Sequence, residues 1–441
     1  MNVMVVCMDT LRWDALGCYG SDWVKTPCID AFAESAALCS GAYCASFPTV
    51  PMRVDAYTGA VNWPRYGWRG PDPEQPKLPQ LLRDAGVYTG LVLDTANNVH
   101  GPKLHEFYDE YHLIRKEVDD GITPDDIVTP VPEEYFRQFA RGYRRDRSNW
   151  AHYRNESDWF VSRTMRRACE WLEEHSARDA WFLWVDTFEI HEDYMPPSYY
   201  VGLYESGYNG LDYTYPNYGY SDMYAPEELH HLRSCYAGEV TLTDRWVGHL
   251  LRQIEVMGLL EDTAVILLSD HGMYLGEHGR CGKHTVDADD AWPLYDTVAR
   301  IPLIVRSPEG RARQIDGLVQ PADLLPTICD LMDAPCPPTL GQSLVPALSS
   351  GVHAAHERVY TTFNGKATGM PSHVTVTTPT HTAIIPRLPR EPELYDRRSD
   401  PEQLTDVAAA HPELVAQLHG DLIDFMREQG AEEAYVTEYL R

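Results

Sequence analysis

Ala264-Val265-Ile266-Leu267-Leu268-Ser269-Asp270-His271-Gly272 reads as a buried strand that stops at a carboxylate and an imidazole. Its apolar residues do not alternate with polar ones, so both faces of the strand need cover, as in a parallel sheet with helices on each side. Four further runs share the pattern, at 3–8, 87–93, 181–185 and 301–305. Helix-like periods lie between them, over 26–38, 78–84 and about 238–257. This alternation predicts an α/β fold: a large, mostly parallel sheet flanked by helices. Such sheets hold ligands beyond the carboxyl ends of their strands. Asp9, Asp94, Asp186 and Asp270 each follow or close such a run, which predicts one shared rim.

The remainder divides around this core. A Pro-, Ser- and Gly-rich stretch at 335–350 predicts a boundary, giving a catalytic domain over 1–345 and a smaller C-terminal α+β unit over 346–441. That unit carries strand-like runs at 359–363, 373–378 and 382–385 and a helical period over 412–429. Two segments read as insertions, near 110–155 and 194–224. The second holds ten tyrosines among Gly, Pro and Asp. It suits a surface excursion packed by its own rings or an oligomer contact, and equally a wall of the substrate pocket, since tyrosine couples apolar area to a polar tip.

Composition narrows the partners. The 441 residues carry a net charge of −29, which repels nucleic acid and anionic membranes. No apolar run reaches the roughly 20 residues of a membrane helix, and residues 1–8 lack the basic flank of a signal peptide. The ten cysteines form no CxxC pair and no dense pattern. A cytoplasmic protein with reduced thiols is expected, as a monomer or a homo-oligomer.

The chemistry concentrates in four places. Pro48-Thr49-Val50-Pro51-Met52-Arg53 sets a hydroxyl and a guanidinium four positions apart, on one face if Thr49 opens a helix. Arg53 could then orient Thr49 or clamp two ester oxygens. Asp9, Asp270 and His271 form a plausible set of ligands for a divalent ion, with the Thr49 hydroxyl completing it; the imidazole favours zinc or manganese over calcium. In a Gly-rich stretch after Asp270, Lys283 is a candidate anion donor or leaving-group partner, and His284 could be an acid or a second metal ligand. His191 follows Asp186 at the end of another strand and could protonate a leaving group. Asp186, His191 and His284 together could instead hold a second ion.

These residues carry a family resemblance. Asp9-Thr10-Leu11-Arg12 with Leu16-Gly17-Cys18-Tyr19-Gly20 resembles the opening of the sulfatases, members of the alkaline phosphatase superfamily. Pro51, Arg53 and Thr58-Gly59 resemble their nucleophile signature, and 181–197 (WFLWVDTFEIHEDYMPP) their strand ending in a histidine and diproline. Residues 269–283 (SDHGMYLGEHGRCGK) are the most specific block. Glu393-Leu394-Tyr395-Asp396 with Asp400-Pro401 resembles the C-terminal motif. The resemblance implies an alkaline phosphatase-like fold and a metal-dependent ester hydrolase.

Three departures bear on chemistry. Sulfatases carry Cys or Ser where this chain has Thr49 and convert it to formylglycine, a conversion for which threonine is no substrate; no formylglycine is expected. Thr10 replaces a second aspartate. Thr95 and Asn97 stand where the family places a sulfate-binding Lys and His, so they become weaker substrate-binding candidates. A direct hydroxyl nucleophile with fewer cations resembles the phosphonate monoester hydrolase and phosphodiesterase branch. The expected substrate is therefore a small anionic phosphodiester or phosphonate monoester, cleaved through a covalent Thr49 intermediate. Sulfate ester hydrolysis by unmodified threonine, phosphoryl transfer within a sugar phosphate, and a catalytically inactive binding protein remain as other readings.

Overall fold

A computed structural model describes residues 1–114, 135, 153–284, 292–350, 356–363, 373–387 and 390–440. Its centre is an eight-stranded sheet. From one edge the strands are Arg313–Val319, Ala37–Ala42, Leu303–Arg306, Thr263–Ser269, Asn2–Met8, Trp181–Thr187, Tyr88–Leu93 and Glu110–Leu113. All run parallel except Leu303–Arg306, which pairs antiparallel with both neighbours. That strand leaves the loop after Asp270 on the carboxyl rim without crossing beneath the sheet, so it can only run back.

The unbroken apolar runs have the cause inferred for them. Val3, Val5 and Cys7 face one core with Ile266, Leu268 and Trp184. Met4, Val6 and Met8 face the other with Val265, Leu267 and Val185. The first core is covered by helix Thr49–Thr58 and by Leu324–Leu331. The second is covered by Phe160–His175 and the 31-residue helix Pro226–Val256. Sequence periodicity predicts a single helix over 26–38; the chain forms helix Pro27–Ala33 and then strand Ala37–Ala42.

The C-terminal unit is a five-stranded sheet backed by helix Pro412–Glu428. Its edge strand comes from elsewhere: Ser46–Phe47 pairs parallel with Val359–Phe363, Thr362 opposite Ser46. Ala45, Val61 and Trp63 enter the same core as Val374, Ile385, Leu394 and Leu422. In space the two sheets meet at the residues just before Thr49, and Ala347, Leu348 and Val359 pack into the core of the large sheet. Of the first insertion, residues 115–134 and 136–152 lie outside the described residues. The cysteines are all unpaired thiols. Among the described residues, no helix is long and apolar enough to cross a membrane.

Candidate active site

Helix Thr49–Thr58 begins where the two sheets meet, and all ten of its residues are buried. Pro51 lies in its first turn, where a missing N–H costs no intrahelical bond. Gly59 ends it at φ +65, a left-handed conformation that favours glycine, with its N–H donating to the Asp55 carbonyl. Thr49 is the first helical residue and Arg53 follows one turn later, so the spacing read from sequence does place them on one face.

Arg53 is fully buried and bound to carboxylates from several strand ends. Nε and Nη2 donate to Asp186 Oδ2 and Oδ1 at 2.7 and 2.8 Å. Nη1 donates to Asp270 Oδ2 at 2.7 Å and to the Thr49 carbonyl at 2.9 Å. Nη2 also stands 3.5 Å from Asp9 Oδ2. With its donors engaged in this way, Arg53 ties helix Thr49–Thr58 to the rim rather than clamping ester oxygens.

Asp9, Asp270 and His271 converge beside it, with ligand atoms within 4.8 Å of one another. His271 Nε2 is 3.8 Å from Asp9 Oδ1 and 3.7 Å from Asp270 Oδ2. His271 Nδ1 donates to the Gly272 carbonyl at 2.9 Å, which leaves Nε2 as a bare lone pair aimed at the carboxylates. Thr10 fills the gap left by the second aspartate. Held at φ +63, it donates its N–H to Asp270 Oδ1 at 2.9 Å and its hydroxyl to Asp9 Oδ1 at 2.8 Å.

The electrostatics suit a cation. Burial and the neighbouring Asp270 push the Asp9 carboxyl up. Asp270 is held below the usual range despite burial, by His271, Arg53 and hydrogen bonds that include the Thr10 N–H. Burial lowers His271 to about 4, against the pull of Asp270, so its imidazole is neutral. Two buried atoms, Asp9 Oδ2 and His271 Nε2, have no hydrogen-bond partner. Buried polar atoms rarely stay orphaned, and two carboxylates with a neutral imidazole form the donor set of a divalent ion. The residues fit the metal that the sequence implies, and Thr49 is tied to the cluster through its carbonyl, which accepts from the same Arg53 Nη1 that donates to Asp270.

A second group closes the site. Lys283 Nζ lies 3.0 Å from Glu192 Oε2, and both side chains are almost fully buried. Tyr218, from the Tyr-rich segment, donates its hydroxyl to Glu192 Oε1. Burial opposes ionisation of Glu192, but His191, Lys283 and Tyr218 outweigh it and hold the carboxyl at about 2. His191 stacks on Phe188 with ring centroids 4.0 Å apart, and its Nδ1 donates to the Glu192 carbonyl at 2.8 Å. Burial lowers His191 to about 3. It is a neutral ring and no resident proton donor, contrary to the leaving-group role expected for it. His284 packs between Tyr218 and Phe363, and Phe363 in turn touches Phe47 beside His271. The Tyr-rich segment packs partly on its own rings and partly against Glu192 and His284. Tyr213 and Tyr224 pack on each other, while Tyr218 reaches the site. Glu192 was not among the candidates from sequence; an acid beside His191 in a buried strand exit was its only signal.

Other candidates are placed differently. Asp186 accepts from Arg53 twice, from Thr95 Oγ1 at 2.8 Å and from Asn98 Nδ2 and Trp184 Nε1 at 3.2 Å each. No lone pair is left for a second ion there, so the reading of a metal at Asp186, His191 and His284 is corrected. Thr95 supports Asp186 instead of facing substrate. Asn97 opens the short helix Asn97–His100, and its neighbour Asn98 is the residue that turns to Asp186. Asp94 caps inward, accepting from the Thr164 and Thr187 hydroxyls at 2.6 and 3.1 Å.

Comparison with known proteins identifies the family and the fold. The family model described as Sulfatase matches residues 1–334, and that of the N-sulphoglucosamine sulphohydrolase C-terminal region matches 282–428. An uncharacterized sulfatase of Escherichia coli, YidJ, is 24% identical over 96% of this chain and 87% of its own length. An arylsulfatase of Clostridium perfringens is 20% identical over 98% and 95%. The fold matches that of the phosphonate monoester hydrolase of Agrobacterium radiobacter with a TM-score of 0.72 at 20% identity, over 97% of this chain and 95% of the other. A family match over three quarters of the length makes this chain a member of the sulfatase family, an ester hydrolase of alkaline phosphatase-like fold.

Proposed function

We propose that the chain hydrolyses phosphodiesters or phosphonate monoesters through a covalent Thr49 ester. The observation that carries the reading is Thr49 itself, an unconvertible hydroxyl at the nucleophile position, at the start of a helix locked onto the rim by Arg53. A divalent ion held by Asp9, Asp270 and His271, zinc or manganese by donor type, would lower the pKa of the Thr49 hydroxyl and draw charge from a nonbridging oxygen.

The chain's own residues do the rest. Thr49 Oγ attacks phosphorus and its proton passes to solvent. Lys283 offers the proton or the positive charge that the departing alkoxide needs. Water then attacks phosphorus, the threonine–phosphorus bond breaks, and Thr49 regains its hydroxyl. Burial disfavours the charged form of His191, so the proton lost by that water is balanced by the one Thr49 regains rather than held on the imidazole. Charge supports a singly charged substrate: among the described residues Asp9, Asp186, Asp270 and Glu192 face Arg53 and Lys283 as cations, and a divalent ion would bring that set near neutrality.

Sulfate monoesters are singly charged too, and the names of the relatives favour sulfate hydrolysis by unmodified threonine as the second reading. Against it, a sulfo-threonine lacks the collapse route that a formylglycine hydrate offers. Turnover of an aryl phosphonate, a bis-aryl phosphate and an aryl sulfate on one metal-assayed sample separates the two. The phosphorus esters are expected to lead, and Thr49→Ala is expected to lower the leading activity by about three orders of magnitude or more. Full activity in Thr49→Ala, or a lead for the sulfate, would overturn the proposal.

A further inference from the structure

The geometry points to a second metal centre, away from the rim, in which Asp212, His231 and Cys235 hold one zinc-like ion. His231 and Cys235 lie one turn apart on helix Pro226–Val256, so both side chains leave the same face. Cys235 Sγ is 3.6 Å from His231 Nε2, and Asp212 Oδ1 is 2.9 Å from the same nitrogen. The three ligand atoms all fall within 4.8 Å of one another. A tetrahedral zinc with ordinary bond lengths spaces nitrogen from oxygen by about 3.4 Å and nitrogen from sulfur by about 3.6 Å. The nitrogen–sulfur spacing already matches, and the nitrogen–oxygen pair has to open by about 0.5 Å to admit an ion.

The surroundings are those of a built ligand. His231 Nδ1 donates to Glu205 Oε2 at 2.6 Å, the carboxylate–histidine arrangement that turns the other nitrogen toward a metal. Tyr208 stacks flat on the imidazole, with centroids 3.9 Å apart and planes at 10°, which fixes the ring plane. A cavity of about 590 Å³, lined by Glu205, Tyr208, Asp212, His231 and Cys235 among others, leaves room for water as a fourth ligand. An ion pair alone would explain His231 between two carboxylates, but it gives the buried Cys235 no part. On binding, Cys235 and His231 Nε2 each release a proton to solvent, and metal–sulfur and metal–nitrogen bonds replace them with no change of oxidation state. The ion would bond the Tyr-rich segment to the helix beneath it, in the segment that also carries Tyr218 to Glu192.

Thiolate ligation separates this site from the rim, whose donors are oxygen and nitrogen. Metal-stripped full-length protein is titrated with Co²⁺ and followed for the near-ultraviolet thiolate-to-cobalt charge-transfer band, then with Zn²⁺. One equivalent of thiolate-bound cobalt, displaced by Zn²⁺, is expected. The band should persist in Asp9→Asn, vanish in Cys235→Ser, and require roughly ten- to hundredfold more Co²⁺ in Glu205→Gln. Wild-type protein that takes up cobalt without the band overturns the proposal whatever the variants do. So does a band that survives Cys235→Ser or is lost in Asp9→Asn.

Discussion

The two His-centred clusters, Asp9–Asp270–His271 and Asp212–His231–Cys235, gather the same number of donors in opposite surroundings. The first is fully buried at the ends of parallel strands and backed by the Arg53 cation. The second lies on one helix face beside a half-exposed Asp212 and is backed by the Glu205 anion. Nδ1 of His271 meets a neutral carbonyl, whereas Nδ1 of His231 meets a carboxylate. The contrast teaches what burial demands. Carboxylates enclosed in a sheet rim must be charge-compensated before any ligand arrives, and Arg53 supplies that. A cluster near solvent can be held by acids alone.

Breaking the compensation should have the largest effect. Arg53→Met leaves Asp186 and Asp270 buried without their counter-ion, and removal of one partner from such a network costs about 3–5 kcal/mol. Urea unfolding of metal-stripped protein is expected to show a loss of that size, with catalysis lost alongside it. Glu205→Gln, at the second cluster, should stay within about 1 kcal/mol of wild type. Equal losses for the two variants would remove the contrast.

The parts visible in sequence and the parts hidden from it divide along the same physical line. The strands over 2–8, 88–93, 181–187 and 263–269 were legible because burial on both faces writes itself as an unbroken apolar run. Asp9, Asp270 and His271 were legible because they end such runs. Ala37–Ala42 was not: Ala-Leu-Cys-Ser-Gly-Ala has neither the β-branched residues nor the length that announces a strand. The role of Ser46–Phe47 depends on a partner more than three hundred positions later, which no local pattern encodes. Arg53 and Asp186 were each singled out, yet their pairing is a fact of packing. For the same reason Lys283 read as an anion donor while its partner Glu192 went unnamed.

A substitution of middle size sharpens where catalysis ends. Lys283→Met removes a charge beside the rim, and if that ammonium assists the leaving group, kcat/KM should fall by about a hundredfold or more. Asp212→Asn, assayed with the same divalent ion in excess, should stay within about twofold. Steady-state kinetics on the preferred ester would check both. A larger loss for Asp212→Asn than for Lys283→Met would mean that the second cluster governs the reaction and that the rim alone does not.

The smallest effect is also the most diagnostic, because the two histidines respond to pH with opposite sign. Burial depresses His271 to about 4, so the native state resists protonation that the unfolded chain accepts near 6.5; its contribution is present at neutral pH and lost as pH falls from about 6.5 toward 4. His231 is raised: burial opposes its charge, but the hydrogen bonds and charges of Asp212 and Glu205 prevail. Its contribution is fully present below about 6.5 and is lost as pH rises through the raised native value. In chelator-treated protein, the stability difference between wild type and Glu205→Gln should therefore be greatest in the acid range and shrink above neutrality. Denaturant midpoints taken across that range would show it. A difference that grows with pH would mean that His231 is neutral in the native protein and that Glu205 only orients it.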